Sequence, residues 1–300
     1  MGRRVVIVML YVLYGLVLTA VLLVLLFPKE RFLDWIADRL EQALPGFVCR
    51  VEEVRYVHPF ALRLSGMVLD NESDRLSIPI DTMLVRFKPR WPLEPLAVSA
   101  TLYGGVVEAD IAADFPENQF ELNRLSVSSV RLNDIDFLHT RLDRRFAGEL
   151  SLLGEMVVSP SHFKNMQFNG SLTIDNFATK LRRPILKVID INFNQILANV
   201  TLDGGIINVS AGHYRGKLIS GNFSGWIAIE NPWSDSRFEI DGGVIPHAEL
   251  LERSPYITEA AAELYRKYRA EAIPCQIEGT LENPQFRFGR KDESAVQRVQ

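Results

Sequence analysis

Five histidines, His58, His139, His162, His213 and His247, are the first residues to test for catalysis or metal binding. No two are spaced as ligands on one element, and none belongs to H-E-x-x-H, so each reads as a surface or satisfied core imidazole. The two cysteines, Cys49 and Cys275, exclude a four-thiolate zinc site, and C-x-x-C is absent. They are either two separate buried thiols or, in an oxidising compartment, a bridge from the first strand to the last. Asn133-Asp134-Ile135-Asp136 offers oxygen ligands of the calcium kind but lacks the EF-hand spacing and its terminal glutamate, and reads as a polar hairpin edge. There is no G-x-S-x-G elbow, Walker loop or G-x-G-x-x-G. No carboxylate pair for hydrolysis stands out among 37 acidic residues. Tyr103, Phe223, Trp226, Trp233 and Phe238 are ring-bearing candidates for ligand stacking, yet in half-buried strands such rings are usually core. The expectation is a non-enzymatic protein with no catalytic residues, no cofactor and no metal.

The elements that would position any site are mostly strands. From Phe47 the pattern has period two: Phe47, Cys49 and Val51 on one face, Arg50 and Glu52 on the other. Leu62 and Leu64, then Leu76, Ile78 and Ile80, then Met83, Val85 and Phe87 continue it, and Ile191, Phe193, Val200, Leu202, Phe238 and Ile240 belong to later runs. Gly-x-Leu/Ile recurs from Gly148, Gly170, Gly225 and Gly279, and a paired glycine before a strand recurs at Gly104-Gly105, Gly204-Gly205 and Gly242-Gly243. Each pair reads as a turn feeding the next strand of a long meander, so these glycines are assigned to backbone geometry rather than to ligands. Pro246 to Ala272 is the late helical region, split at Pro255, with Ile257, Ala261, Leu264, Tyr265 and Tyr268 on one face. A last strand is expected from Ile273 to Phe288.

Val5 to Phe27 is 23 residues without a charge. As a helix it spans about 34 Å, enough for a bilayer core. It is longer than the apolar stretch of a cleaved signal peptide, and Pro28, Lys29, Glu30 and Arg31 follow it in place of a small-residue cut site. Arg3 and Arg4 keep the N-terminus in the cytoplasm by the positive-inside rule. The expected organisation is a cytoplasmic segment 1–4, an anchor 5–27, an amphipathic helix or linker 28–46 (Phe32, Leu33, Ile36, Leu40 and Leu44 on one face), a β-rich domain 47–289 with its helical insertion 246–272, and a polar tail 290–300. The domain then lies in the periplasm of a bacterial inner-membrane protein. A net charge of −4 with scattered basic residues gives no reason to expect nucleic acid. The fold class expected is mainly β, an extended antiparallel, twisted open sheet with a groove, although a closed sandwich or barrel has the same alternation.

The chain closes with Ile277-Glu278-Gly279-Thr280-Leu281-Glu282-Asn283-Pro284-Gln285-Phe286, which resembles the Gly-Thr/Ser-Leu-x-x-Pro ending of AsmA-like proteins. The length, the single anchor and the surroundings of Leu10 to Tyr14 and of Phe27-Pro28 resemble the GspN family, associated with type II secretion in delta-proteobacteria and their relatives. The resemblance implies an accessory, structural subunit of a secretion apparatus, with partners in the inner membrane and among other secretion proteins. It alternatively implies a lipid-binding or lipid-transfer protein whose β-groove takes phospholipid acyl chains. This chain is much shorter than a typical AsmA protein, which argues against a long conduit.

Overall fold

The computed structural model describes residues 46–57, 61–71, 76–86, 96–114, 119–142, 144–158, 166–185, 188–230, 235–252, 255–281 and 283–289, with scattered positions before residue 46. Nearly all of the anchor 5–27 and of the helix 28–46, and all of segments 1–4 and 290–300, lie outside the described residues. So do His58, His162 and Trp233. Of the anchor, Met9, Leu10, Tyr11, Tyr14, Gly15 and Leu18 are helical. Among the described residues no helix is long and apolar enough to cross a membrane.

Fourteen strands form one sheet in strict sequence order. They are β1 (Val48–Val57), β2 (Ala61–Asn71), β3 (Leu76–Arg86), β4 (Leu96–Leu102), β5 (Gly105–Asp114), β6 (Gln119–Arg131) and β7 (Phe146–Val158). Then come β8 (Gln167–Ile185), β9 (Val188–Asp203), β10 (Ile206–Gly216), β11 (Ile219–Ala228), β12 (Arg237–Pro246), β13 (Ile273–Thr280) and β14 (Pro284–Phe288). Each pairs antiparallel with its neighbours in sequence. Among the described residues no strand closes the sheet onto itself, and β1 and β14 are its edges. Thirteen strand steps of about 4.8 Å make it about 62 Å across.

The register shows why one face is apolar. Leu96, Ile111, Leu122, Met156, Phe168, Leu202, Ile207, Ile227 and Phe238 stand opposite one another in turn, a single apolar row across nine strands. A second row runs Val130, Leu150, Ile174, Ile196, Tyr214, Gly221, Val244 and Ile273. The other face carries rows such as Glu155, Asn169, Thr201, Asn208, Trp226, Glu239, Glu278 and Gln285. On that face Gln276, only 2% exposed, donates to Glu239 (2.6 Å) and accepts from Arg287, which also pairs with Glu278 at 3.3 Å. Glu239 and Glu278 face each other across β12 and β13; the arginine offsets the charge of Glu278, and the glutamine amide supplies Glu239 with a hydrogen bond.

Strict alternation would not hold this arrangement together. In β6 the inward residues are Leu122, Leu125, Val127 and Val130, spaced three, two, three; in β10 they are Ile207, Val209, Gly212 and Tyr214, spaced two, three, two. Each step of three falls at a register shift beside a residue of positive φ: Arg124 and Ser129 in β6, Ala211 in β10. A bulge inserts one residue and so returns the next apolar side chain to the same face.

The glycine pairs divide. Tyr103-Gly104 and Gly204-Gly205 are two-residue hairpin turns with positive φ at both positions, the type that matches strand twist. Gly105 is the first strand residue after its turn. Gly242 and Gly243 lie within β12, and Gly148, Gly170, Gly225 and Gly279 lie within strands, so these do not make turns. Their role is to let backbones and rings approach: a Cβ on Gly170 would lie 2.2 Å from the Leu153 carbonyl and 2.6 Å from the Phe168 ring.

Two other expectations need correction. Pro246 ends β12 instead of starting a helix; His247 caps the short helix Ala248–Leu251, and Pro255 opens the helix Pro255–Tyr268. The single last strand is the hairpin of β13 and β14, because Asn283-Pro284 follows a turn held by Asn283 N–H donating to Thr280 Oγ1.

The two kinds of glycine respond differently to substitution. Gly170→Val should cost about 2–3 kcal/mol by overpacking, whereas Gly204→Asn, with open space around it, should be close to neutral. Urea unfolding of the two variants checks this; equal losses would sink the distinction.

Candidate functional site

The described residues hold no group of histidines, cysteines and carboxylates arranged to bind a metal ion. His139 lies in the helix Asp136–Leu142, its ring nitrogens 3.0 and 3.1 Å from the carbonyls of Asn133 and Arg144. His247 touches the Lys217 carbonyl and Ser220 Oγ, and His213 is exposed on β10. Asn133-Asp134-Ile135-Asp136 forms a 3-10 turn leading into that helix instead of a hairpin edge. The His139 and His247 rings meet local partners, and the structure does not gather the three described histidines.

What the structure does assemble is the apolar face. A cluster of Ala109, Leu125 and Phe168 is flanked by half-buried Val107, Ile111, Leu122, Val127, Leu152, Met156, Val200 and Leu202. A second cluster, Cys49, Met67, Ile80 and Ala100, lies over β1 to β4, and helical Ala37 packs on it. One turn on, Glu41 accepts the Cys49 amide at 3.3 Å, taking up one polar group of the β1 edge. At the other end of the sheet the helix Pro255–Tyr268 packs against β13, where Ile273 is 3% exposed. Between these ends, over β5 to β11, most of the face is half-buried side chains, and the described element that lies on it is the short helix Asp136–Leu142, whose His139 stacks on Phe146 of β7.

A row of rings crosses the strands along this face. His139, Phe146, Phe177, Phe193, Tyr214 and Phe223 follow one another with centroids 4.9 to 6.3 Å apart. Several sit where a neighbouring strand carries glycine: Phe193 opposite Gly216, Tyr214 opposite Gly221, Phe223 opposite Gly212 and Gly242. The sequence signal at these positions is a glycine in mid-strand; Gly242 stands in a pair that reads as a turn, and Gly212, Gly216 and Gly221 carry no motif that the sequence analysis singles out. Of the rings singled out from sequence, Phe223 belongs to this row and Phe238 is buried at 9% exposure. Tyr103 sits in a turn with its hydroxyl donating to the Ser77 carbonyl, and Trp226 faces outward, 37% exposed.

The titrating groups near the face are neutral ones. Burial, with Asp241 adding to it, pushes the Cys275 thiol up to about 11. Burial likewise raises Cys49, with Glu41 second, and raises the Tyr214 phenol. Both cysteines are free and buried, and twelve strand steps separate β1 from β13, so they make no bridge within the chain. Burial thus holds both thiols and the Tyr214 phenol in their protonated forms, among half-buried aliphatic side chains and rings. The face offers area.

No family model, no curated protein and no solved structure matches this chain.

The raised Cys275 pKa fixes a sign. The protonated thiol is favoured in the folded chain, so its contribution to stability is complete below the ordinary thiol pKa and is lost as pH rises through about 11. Stability should therefore fall between about pH 9 and 11, and Cys275→Ala should flatten that fall. Ellman titration of the native chain at pH 8 should find both thiols unreactive until denaturant is added; a fast-reacting thiol in the folded chain would contradict the burial.

Proposed function

We propose that this protein is a membrane-anchored, non-enzymatic cradle that holds the acyl chains of lipids in a groove formed by the apolar face of its sheet. The observation that carries the reading is that face: apolar rows run across nine consecutive strands, and over β5 to β11 no described layer beyond the short helix Asp136–Leu142 covers them. A sheet buried in a closed sandwich would pack this surface against a second sheet. Soluble proteins rarely leave so large an apolar surface to water, so an apolar occupant is the economical complement. Each Å2 it covers is worth roughly 25 cal/mol, which binds an acyl chain without directed chemistry. The uncharged stretch Val5 to Phe27 supplies the anchor, the flanking Arg3 and Arg4 put the sheet in the periplasm, and the exposed apolar side chains of Met9, Leu10, Tyr11 and Tyr14 accord with a lipid surround.

One observation favours the second reading, a structural subunit of an envelope secretion apparatus. The edge strands β1 and β14 have no outer strand partner among the described residues, and a partner protein can extend the sheet there.

Photo-crosslinking from the full chain in living Gram-negative cells separates the two. A photoreactive phenylalanine at Leu172, on the apolar face, should capture lipid; the same residue at the adjacent Ser171, on the polar face, should not. Lipid capture at neither position, with protein adducts from β1 or β14 instead, would replace the lipid reading by the subunit reading.

A further inference from the structure

Tyr214 stands in β10, yet its hydroxyl donates to the backbone carbonyl of Gly243 in β12 at 3.0 Å. The phenol therefore crosses the whole of β11. It can do so because Gly221 lies beneath it: a Cβ there would come within 2.6 Å of the Tyr214 hydroxyl, 2.8 Å of its ring and 1.9 Å of the Gly243 carbonyl. The ring is held in place by Phe193 on one side, with centroids 4.9 Å apart, and Phe223 on the other, at 6.3 Å. Both are members of the row of rings, so the tie lies on the apolar face.

We infer that Tyr214 is a positioning residue whose cross-strand tie, seated over Gly221, sets the curvature of the groove and with it the bulk of ligand that fits. Two strand steps in a flat sheet are about 9.6 Å. A rigid tie of fixed length between β10 and β12 on one face holds that face short while the opposite face stays free to spread, and the sheet bends toward the tie. The ring on one side and the hydrogen bond on the other supply rigidity that an aliphatic side chain lacks. Phe168, lying over Gly154 and Gly170, marks a like close approach of ring to glycine near the middle of the sheet. It has no hydroxyl and forms no tie. The curvature of the β10–β12 segment is thus controlled by a single phenol. The effect on ligand choice rests on the lipid-cradle reading; the effect on shape does not.

Tyr214→Phe removes the hydroxyl and keeps the ring, so it tests the tie without emptying the face. Spin labels at Leu153→Cys and Ile245→Cys, both exposed (60% and 42%), bracket the segment from β7 to β12 in the full chain, the buried native thiols staying unlabelled. Both labels stand on the polar face, opposite the tie, where bending spreads them, so double electron–electron resonance should show the distance between them shortened and its distribution broadened by Tyr214→Phe, with cooperative melting retained. Gly221→Ala, which lifts the ring from its seat, should move it the same way. The relative affinity for a slim probe, palmitate, against a bulky one, dansylundecanoate, should shift by at least about threefold. An unchanged distance in both variants overturns the proposal. A changed distance in a protein that binds neither probe leaves the tie standing and removes the cradle.

Discussion

The rest of this structure depends on one constraint: fourteen strands, each paired only with its neighbours in sequence, must keep their apolar side chains on one side of a single sheet. In a closed barrel an error of one residue is corrected by closure. Here nothing closes, and a slip of register by one residue would turn every following side chain over. The bulges at Arg124, Ser129 and Ala211 do that correction locally, each converting a spacing of three into continued residence on the apolar face. They also increase local twist, so the devices that keep the face apolar help curve it.

The mid-strand glycines follow from the same constraint. A row of large side chains on one face of a sheet crowds, and the crowding is relieved by alternating rings with glycines on adjacent strands. Phe193 with Gly216, Tyr214 with Gly221 and Phe223 with Gly212 are three instances in consecutive strands. Glycine alone in a strand is a weakness, since it packs nothing and costs entropy. A ring laid over it restores the missing contact, and the pair becomes a hinge point of fixed shape.

The sequence discloses the strands and hides the face rows. Leu76, Ile78 and Ile80, or Val200 and Leu202, alternate cleanly and declare themselves. Leu122, Leu125, Val127 and Val130 do not, because a spacing of three belongs as readily to a helix as to a bulged strand. Gly242-Gly243 resembles Gly204-Gly205 in isolation; only the register, which places one inside β12 and the other between β9 and β10, tells them apart. The row from Phe146 to Phe223 is invisible for a similar reason: its members are far apart in the chain and meet only once the pairing of five strands is known. Pro255 is legible as the break in the late helical region because its effect is local, but that it, and not Pro246, opens the long helix is not.

A sheet built this way is nearly one-dimensional. Each strand is stabilised by two neighbours and by what lies on its apolar side, so cooperativity weakens toward the ends, as in repeat proteins. That explains where the non-strand elements sit. Ala37 and Glu41 lie on the first strand and its cluster, and the helix Pro255–Tyr268 lies on β13, next to the last strand. The middle, β5 to β11, has a partner strand on both sides and can spare a cover. Among the described residues, stability is thus spent where the sheet would fray, and the apolar area without a cover lies where each strand has a partner on both sides. An occupant of that area would bind to strands paired on both sides and would reinforce them.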